Sequence, residues 1–431
     1  MLFTELNIIG PIQKALVTQG YTEPTPIQIK AIPSLLEGSD LLGCAQTGTG
    51  KTAAFAIPIL QGLATGQGVL KGKRPIRALI VAPTRELAIQ IKDCFDAYGA
   101  NLSLKSLVIF GGVGQAPQTR ELEKGIDILV ATPGRLLDLI NQGFIDLGRI
   151  KYFVLDEADH MLDMGMLHDV KRIITYLPKE RQSMFFSATM PSEIAKLADT
   201  ILRDPVKIEI SPAFAPIDII EQEVYFVDKE NKTNLLVHLL KDKTYDSVLV
   251  FSRTKHGADK IVKELEKKGF ESVAIHGNKS QTNRQQALSD FKERKTRILV
   301  ATDIAARGLD IEELSHVVNY NLPEVPETYI HRIGRTGRAG LGGKAISFCD
   351  FEEKPLLSDI QRLTGKKLPV VTEHPFPLVN TFIEPKETQV RRSASAYSQK
   401  PNAGRTGKSP YNPKKNSGNT AYNSKPLTRF K

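Results

Sequence analysis

Ten short apolar runs, arranged in two series, limit what this chain can fold into. The first series is "IRALIVAPT", "LKSLVIFGG", "IDILVATPGR", "YFVLDEAD" and "QSMFFSAT"; the second is "SVLVFSRT", "SVAIHG", "RILVATD", "HVVNYN" and "KAISFCD". Their apolarity is continuous rather than alternating, which marks strands buried on both faces, as in a parallel sheet covered by helices. Between them lie amphipathic stretches such as "ELAIQIKDCFDAYG" and "GADKIVKELEKKG", the latter closing at Gly269. Strand and helix alternating twice over predicts two α/β domains, each a mostly parallel sheet flanked by helices. The joint falls at "SPAFAPID", 211–218, after a last apolar stretch "VKIEI". The string "ILVAT" stands at both 128–132 and 298–302, through chance or because the two halves are of similar build.

A length of 431 residues suits two or three domains. No apolar run approaches the ~18 residues of a membrane span, and the N-terminus "MLFTELNIIGPIQKAL" lacks the basic and apolar blocks of a signal peptide. Cys44, Cys94 and Cys349 form no CxxC or zinc pattern, so a reducing cytoplasm is the expected compartment. The net charge of +10 is a property of one end. Residues 386–431 hold eleven Lys/Arg against the single acid Glu387, which accounts for the whole excess. That tail is rich in Ser, Asn, Pro and Gly, too polar to bury a core, and is expected to be disordered. Tyr397, Tyr411, Tyr422 and Phe430 interleave its cations. It reads either as an arm that neutralises phosphates and stacks on bases or as a solubilising extension.

"AQTGTGKT", 45–52, has the spacing of a phosphate-binding loop, with Ala45 where the generic pattern has Gly. Gly48 and Gly50 let backbone N–H groups curl around phosphate oxygens, and the following helix N-terminus adds its dipole. Lys51 would reach the β- and γ-phosphates and Thr52 a magnesium ion. Such a loop needs an acidic strand end to hold the metal, and "VLDEAD" supplies one. Adjacent buried carboxylates repel and lose hydration unless a cation or a reaction uses them. Asp156 is placed to bind Mg²⁺, and Glu157 to polarise the attacking water.

Two glycine-rich strings are set aside. "GGVGQAP", 111–117, is no dinucleotide motif, since Pro117 holds its third position. "HRIGRTGRAG", 331–340, lacks the Lys-Ser/Thr of a phosphate loop and instead offers Arg332, Arg335 and Arg338. Guanidinium groups from a second domain suit the γ-phosphate of a phosphoryl-transfer transition state; the other reading is a basic RNA-contacting or solvated loop.

In combination these motifs resemble those of the DEAD-box ATP-dependent RNA helicases of superfamily 2, most closely the bacterial RhlE-type group. The resemblance covers about residues 1–370. Phe3 and "GYTEPTPIQ" (20–28) match the family's Q motif. "AQTGTGKT", "PTRELA" (83–88), "GG" (111–112), "TPGR" (132–135), "DEAD" and "SAT" (187–189) follow in family order. "VFSRT" (250–254), "HG" (276–277), "QTNR" (281–284), "ATDIAARGLD" (301–310) and "HRIGRTGR" (331–338) complete the set. His160 and Met166 depart from the family's usual Arg and Phe.

The resemblance implies two RecA-like domains with ATP between them: a Q-motif region at 1–30, an ATP-binding domain at 31–210, a linker at 211–218, a C-terminal helicase domain at 219–375 and the tail at 376–431. It implies ATP contacts from Phe3, Tyr21, Gln28, Ala45, Gln46, Thr47, Gly48, Thr49, Gly50, Lys51, Thr52, Asp310, Arg335 and Arg338. Catalysis would rest on Glu157, Asp156, Lys51, Arg335 and Arg338, with Mg²⁺ on Thr52 and Asp156. Asp159, Ser187, Thr189 and His331 would couple hydrolysis to RNA. RNA backbone contacts carry over to Pro83, Thr84, Arg85, Gly112, Thr132, Gly134 and Arg135. In the second half they carry over to Arg253, Gly277, Gln281, Arg284, Thr302 and Asp303.

These are mostly small, hydroxyl or Arg residues, suited to phosphate and 2′-OH contacts, so recognition of single-stranded or duplex RNA should be largely independent of sequence. The expected protein is a monomeric RNA-dependent ATPase that separates short duplexes locally, in ribosome assembly or RNA decay. An ATP-gated RNA clamp with little unwinding is the alternative, and a DNA-translocating ATPase is disfavoured by the complete Q motif.

Overall fold

The computed structural model describes residues 2–45, 48–66, 73–210, 220–306, 314–336 and 343–380. The linker expected at 211–218 lies outside them, as do Gln46, Thr47, Asp310, Arg338 and the tail from residue 381.

Seven strands form the first sheet: β1 Leu41–Cys44, β2 Ala78–Val81, β3 Ser106–Ile109, β4 Ile128–Ala131, β5 Tyr152–Leu155, β6 Gln182–Ser187 and β7 Val206–Glu209. Their spatial order is β3-β4-β2-β5-β6-β1-β7. Six form the second: β8 Ile220–Phe226, β9 Val248–Phe251, β10 Val273–Ile275, β11 Ile298–Ala301, β12 His316–Asn319 and β13 Gly343–Cys349, ordered β10-β11-β9-β12-β13-β8. All pairings between these strands are parallel.

Burial follows position in the sheet. The inner strands β2, β4, β9, β11 and β12 are buried at every residue, as their continuous apolarity requires. The edge strand β7 buries only Ile208. β8, "IEQEVYF", alternates because it borders the sheet, and that is why it does not stand out among the apolar runs. The two "ILVAT" copies provide β4 and β11, each second from the edge of its sheet, so the repeat marks equivalent positions.

Separate apolar clusters cover the two faces of each sheet. The segment before residue 31 belongs to the first of these. The helices Gly10–Thr18 and Pro26–Leu36 bury Ile12, Leu16, Ile27 and Ile32 in the same cluster as Phe55 and Phe186. At the other end the packed chain runs past the domain limit expected at 375. Leu378 N–H donates to Phe226 O, and the N–H groups of Val379 and Asn380 donate to the Asp228 carboxylate. No helix among the described residues is long and apolar enough to cross a membrane.

Candidate nucleotide and RNA site

A parallel sheet gathers its loops at the strands' carboxyl ends, where α/β proteins bind ligands. Here the strand order sorts the motifs. "GG", "TPGR" and "PTRELA" follow β3, β4 and β2 on one side of the first sheet; "DEAD", "SAT" and "AQTGTGKT" follow β5, β6 and β1 on the other. The second sheet repeats the division, with "HG", "ATD" and "SRT" after β10, β11 and β9.

On the phosphate-loop side, Gly50 precedes the helix Lys51–Thr65 with φ of 91°, a left-handed conformation that glycine adopts without strain. A Cβ there would collide with the Gln28 amide and Thr25. Gln28 is buried. Its Oε1 accepts from Thr25 N–H at 2.9 Å, completing a capping box, and its Nε2 donates to Gly50 O at 3.0 Å. Gln28 therefore sets the loop's position. Tyr21 is exposed, with the edges of Phe3 and Tyr98 against it at 6.5 and 5.8 Å between ring centroids. Lys51 is buried and its Nζ donates to Ala45 O at 2.8 Å, which folds the ammonium across the loop that contains Gly48 and Thr49. Thr52 follows in the first helical turn.

The acids after β5 divide sharply. Asp156 is raised to about 6: burial dominates, Glu157 adds to it, and Lys51 and the Glu157 N–H oppose it. For Glu157, burial also pushes upward but is outweighed. The hydrogen bond and charge of His160, then Lys51 and Arg335, hold it at about 2. Arg335 comes from the second domain and is itself buried, and its charge acts across the seam to favour the ionised Glu157 carboxylate. Glu157 sits at φ 52°, ψ 52°, a costly backbone for a residue with a Cβ and one that concentrates at functional sites. His160 Nδ1 lies 2.9 Å from Glu157 Oε2, and the His160 ring meets His331 of the second domain edge-on at 5.3 Å.

Asp159 is bound into the "SAT" segment. Its Oδ2 accepts from Ala188 N–H, Thr189 N–H and Thr189 Oγ1 at 3.2, 2.9 and 3.1 Å. The Asp159 N–H donates to Ser187 Oγ, which in turn donates to Thr189 O.

Asp156 and Thr52 are hard oxygen donors of the kind Mg²⁺ uses together with phosphates. Among the described residues no group of three His, Cys, Asp or Glu side chains gathers to hold a metal alone.

On the RNA-motif side, Thr84 caps the helix Arg85–Tyr98 by accepting from Leu87 N–H. Pro83 precedes it at the end of β2, and Thr132 occupies the corresponding cap position after β4. Arg85 lies over Gly112, where a Cβ would strike its guanidinium, and it donates to Gln281 Oε1 of the second domain at 3.3 Å. Arg135 donates to Val113 O. Gly134 and Gly277 face open space, leaving room for a backbone to approach. Arg253 is held by Glu353 at 2.9 Å. Thr302 follows β11. Asp303, expected on RNA, is engaged by both Nε and Nη2 of Arg332, at 2.5 and 2.8 Å. Arg332 is buried over the Phe251 ring and also bonds Asn319, so it belongs to the second domain's core rather than to an exposed arginine cluster.

Four participants are not legible as site residues in the sequence: Glu86, His160, Lys232 and Glu353. Glu86 carries a signal, as the one acid in "PTRELA" among basic loops. Lys232 and Glu353 carry none, because their partners are distant in the chain.

The DEAD/DEAH box helicase family model matches residues 25–197, and that of the helicase conserved C-terminal domain matches 231–340. The ATP-dependent rRNA helicase RRP3 of Candida albicans is 43% identical over 369 residues, covering 85% of this chain and 68% of that protein. The DEAD-box ATP-dependent RNA helicase RhpA of Helicobacter pylori is 44% identical over 356 residues, covering 82% and 71%. Among solved structures, Saccharomyces cerevisiae Dbp5 bound to RNA and ADP BeF3 superposes with a TM-score of 0.75 at 32% identity, covering 86% of this chain and 95% of that one. A Dbp5 variant bound to Nup159, Gle1, IP6 and ADP, also at 32% identity, gives 0.58 over 85% and 96%.

Proposed function

Because this chain belongs to the DEAD-box ATP-dependent RNA helicases, we propose that its two sheets close over ATP on the β1–β5–β6 side and over RNA on the β3–β4–β2 side. The observation that carries this reading is the seam at the "DEAD" acids, where His331 of the second domain, four residues before the buried Arg335, packs at 5.3 Å against the ring that follows them. The nucleotide draws Lys51 away from Ala45 onto the phosphates, while Gln28 and Tyr21 take the base. Asp156 and Thr52 would hold Mg²⁺, which would supply charge neutralisation at the phosphates. Glu157, ionised at neutral pH, orients the attacking water, and Arg335 stabilises the charge that develops as the γ-phosphate leaves. Phosphate release removes what Arg335 binds. The sheets then part, and Asp159 passes the change to Thr189 and the RNA loops.

Arg85, Arg135, Arg253, Gln281 and Arg284 grip the RNA backbone, without base readout. The basic tail adds affinity that falls as salt rises. Action in ribosome assembly or RNA decay, in the cytoplasm, and the RhlE-type grouping within the family are part of the same proposal. Glu157→Gln removes the carboxylate's charge while keeping its shape. RNA-stimulated ATP turnover should fall by at least roughly a hundredfold with ATP and RNA binding intact. Normal turnover in that variant would remove Glu157 from its role.

A further inference from the structure

The roles assigned above leave one buried titratable side chain beside Glu157 unused. His160 is 4% exposed, three residues beyond Glu157, and its Nδ1 lies 2.9 Å from Glu157 Oε2. A glutamate has three side-chain torsions. A donated hydrogen bond from a buried ring helps to fix which oxygen the glutamate turns toward a substrate.

The ring's other edge has a different environment. His160 Nε2 is buried with no hydrogen-bond partner among the described residues, so the side chain is not a core histidine with both nitrogens satisfied. The ring itself packs against the second domain, with the His331 ring centroid at 5.3 Å and its plane turned 75°. The charged groups around the pair are accounted for. Asp159, on the same turn, is engaged by Ala188 and Thr189, while Lys51 and Arg335 act on Glu157.

We propose that His160 is a positioning residue that makes Glu157 sense domain closure: Nδ1–H fixes the carboxylate, and His331 seats the ring only when the second domain has arrived. In the open protein the ring lacks this wall, so the water-orienting oxygen is not held and ATP is not hydrolysed unproductively. The inference rests on the reading of Glu157 as the residue that orients water.

The two nitrogens can be separated by substitution. His160→Asn keeps an N–H near the Nδ1 position, whereas His160→Gln places its amide toward the Nε2 position. The measurements are kcat and KM for ATP in RNA-stimulated hydrolysis, RNA affinity with a non-hydrolysable nucleotide, and melting temperature. His160→Gln and His160→Ala should lose roughly tenfold to a hundredfold in kcat, the effect of removing a hydrogen bond to a charged group. KM and RNA affinity should stay within about twofold, and His160→Asn should recover to within about threefold of the parent. His331→Ala should lower kcat similarly, and adding His160→Ala to it should cost little more, since both act on one carboxylate. Unchanged kcat in His160→Gln and His160→Ala overturns the proposal, as does equal loss of kcat, KM and RNA affinity without rescue by Asn. If His160→Ala fails to fold, the Asn and Gln variants decide between them. Turnover retained in Glu157→Gln defeats the reading of Glu157 itself. A dead Glu157→Gln beside active His160 variants defeats only the role given to His160.

Discussion

The carboxylate of Glu86, on the first sheet's carboxyl edge, forms a 3.0 Å ion pair with Arg284 of the second domain. The same Oε1 accepts from Gln281 Nε2 at 3.1 Å. Both partners belong to the "QTNR" stretch expected on RNA, and Arg85 reaches Gln281 from the other side. A single acid thus ties together the two halves of the surface proposed for RNA. Burial first, and then repulsion by Arg284, lowers the pKa of Arg85, and Glu86 opposes both.

Glu86→Ala should therefore weaken domain closure rather than nucleotide binding. With RNA and a non-hydrolysable nucleotide present, fluorescence transfer between dyes on the two domains should report fewer closed molecules, and the RNA concentration that half-saturates ATPase should rise. A double-mutant cycle with Arg284→Ala should give a coupling of about 0.5–3 kcal/mol, the range for contacting groups. Zero coupling would reduce the pair to coincidental proximity.

The Asp159–Thr189 contact predicts a different defect. Thr189→Ala removes one of three donors to Asp159 Oδ2 but leaves both backbone N–H groups in place. Hydrolysis residues are untouched, so RNA-stimulated ATPase should stay within about threefold, while duplex release per ATP falls by roughly tenfold, equivalent to about 1.4 kcal/mol of lost coupling. Parallel loss of both activities would show that the contact supports the site as a whole.

Much of this arrangement is legible in the sequence because buried parallel strands announce themselves by continuous apolarity. A carboxylate or glycine loop just after such a run is already at the ligand-binding edge. Asp156, Glu157 and Lys51 are found this way. What sequence cannot show is which distant residue a side chain meets. Asp303 and Arg332 stand in separate motifs, and only the fold reveals that each occupies the other, moving Arg332 from the arginine cluster into the core. Gln28 is recognisable by resemblance, yet its grip on Gly50 depends on how the helix Pro26–Leu36 packs. β8 is obscured because an edge strand alternates where its neighbours do not.

Lys232 illustrates a buried charge with no local signature. It is fully buried in the helix Lys232–Leu240, 2.9 Å from Asp350, and is hydrogen-bonded to Glu353, whose other oxygen holds Arg253. Lys232→Met would leave Asp350 buried without its cation and Glu353 with Arg253 alone, at a cost of about 3–5 kcal/mol. A domain of this size should then melt roughly 6–20 °C lower. RNA affinity should also weaken, because Glu353 no longer holds Arg253 in one place. A melting point within about 2 °C of the parent would mean that the carboxylates had rearranged at no cost.

The second domain also carries a pH-dependent term. His316 begins β12, buried and stacked on Tyr245 with ring centroids 3.9 Å apart. Burial, followed by Lys344, holds its imidazole below the usual value of 6.5 against the opposing pull of Asp246, Asp242 and Glu221. The folded state therefore favours the neutral ring, and the unfolded chain takes up the proton first. Stability from this group is fully present above pH 6.5 and is lost progressively as the pH falls below it, until the folded-state pKa is passed. His316→Phe keeps an aromatic face for Tyr245 and removes the titration. Between pH 7.5 and 5.5 the melting temperature of the variant should fall less than that of the parent; parallel curves would assign the acid sensitivity to other groups.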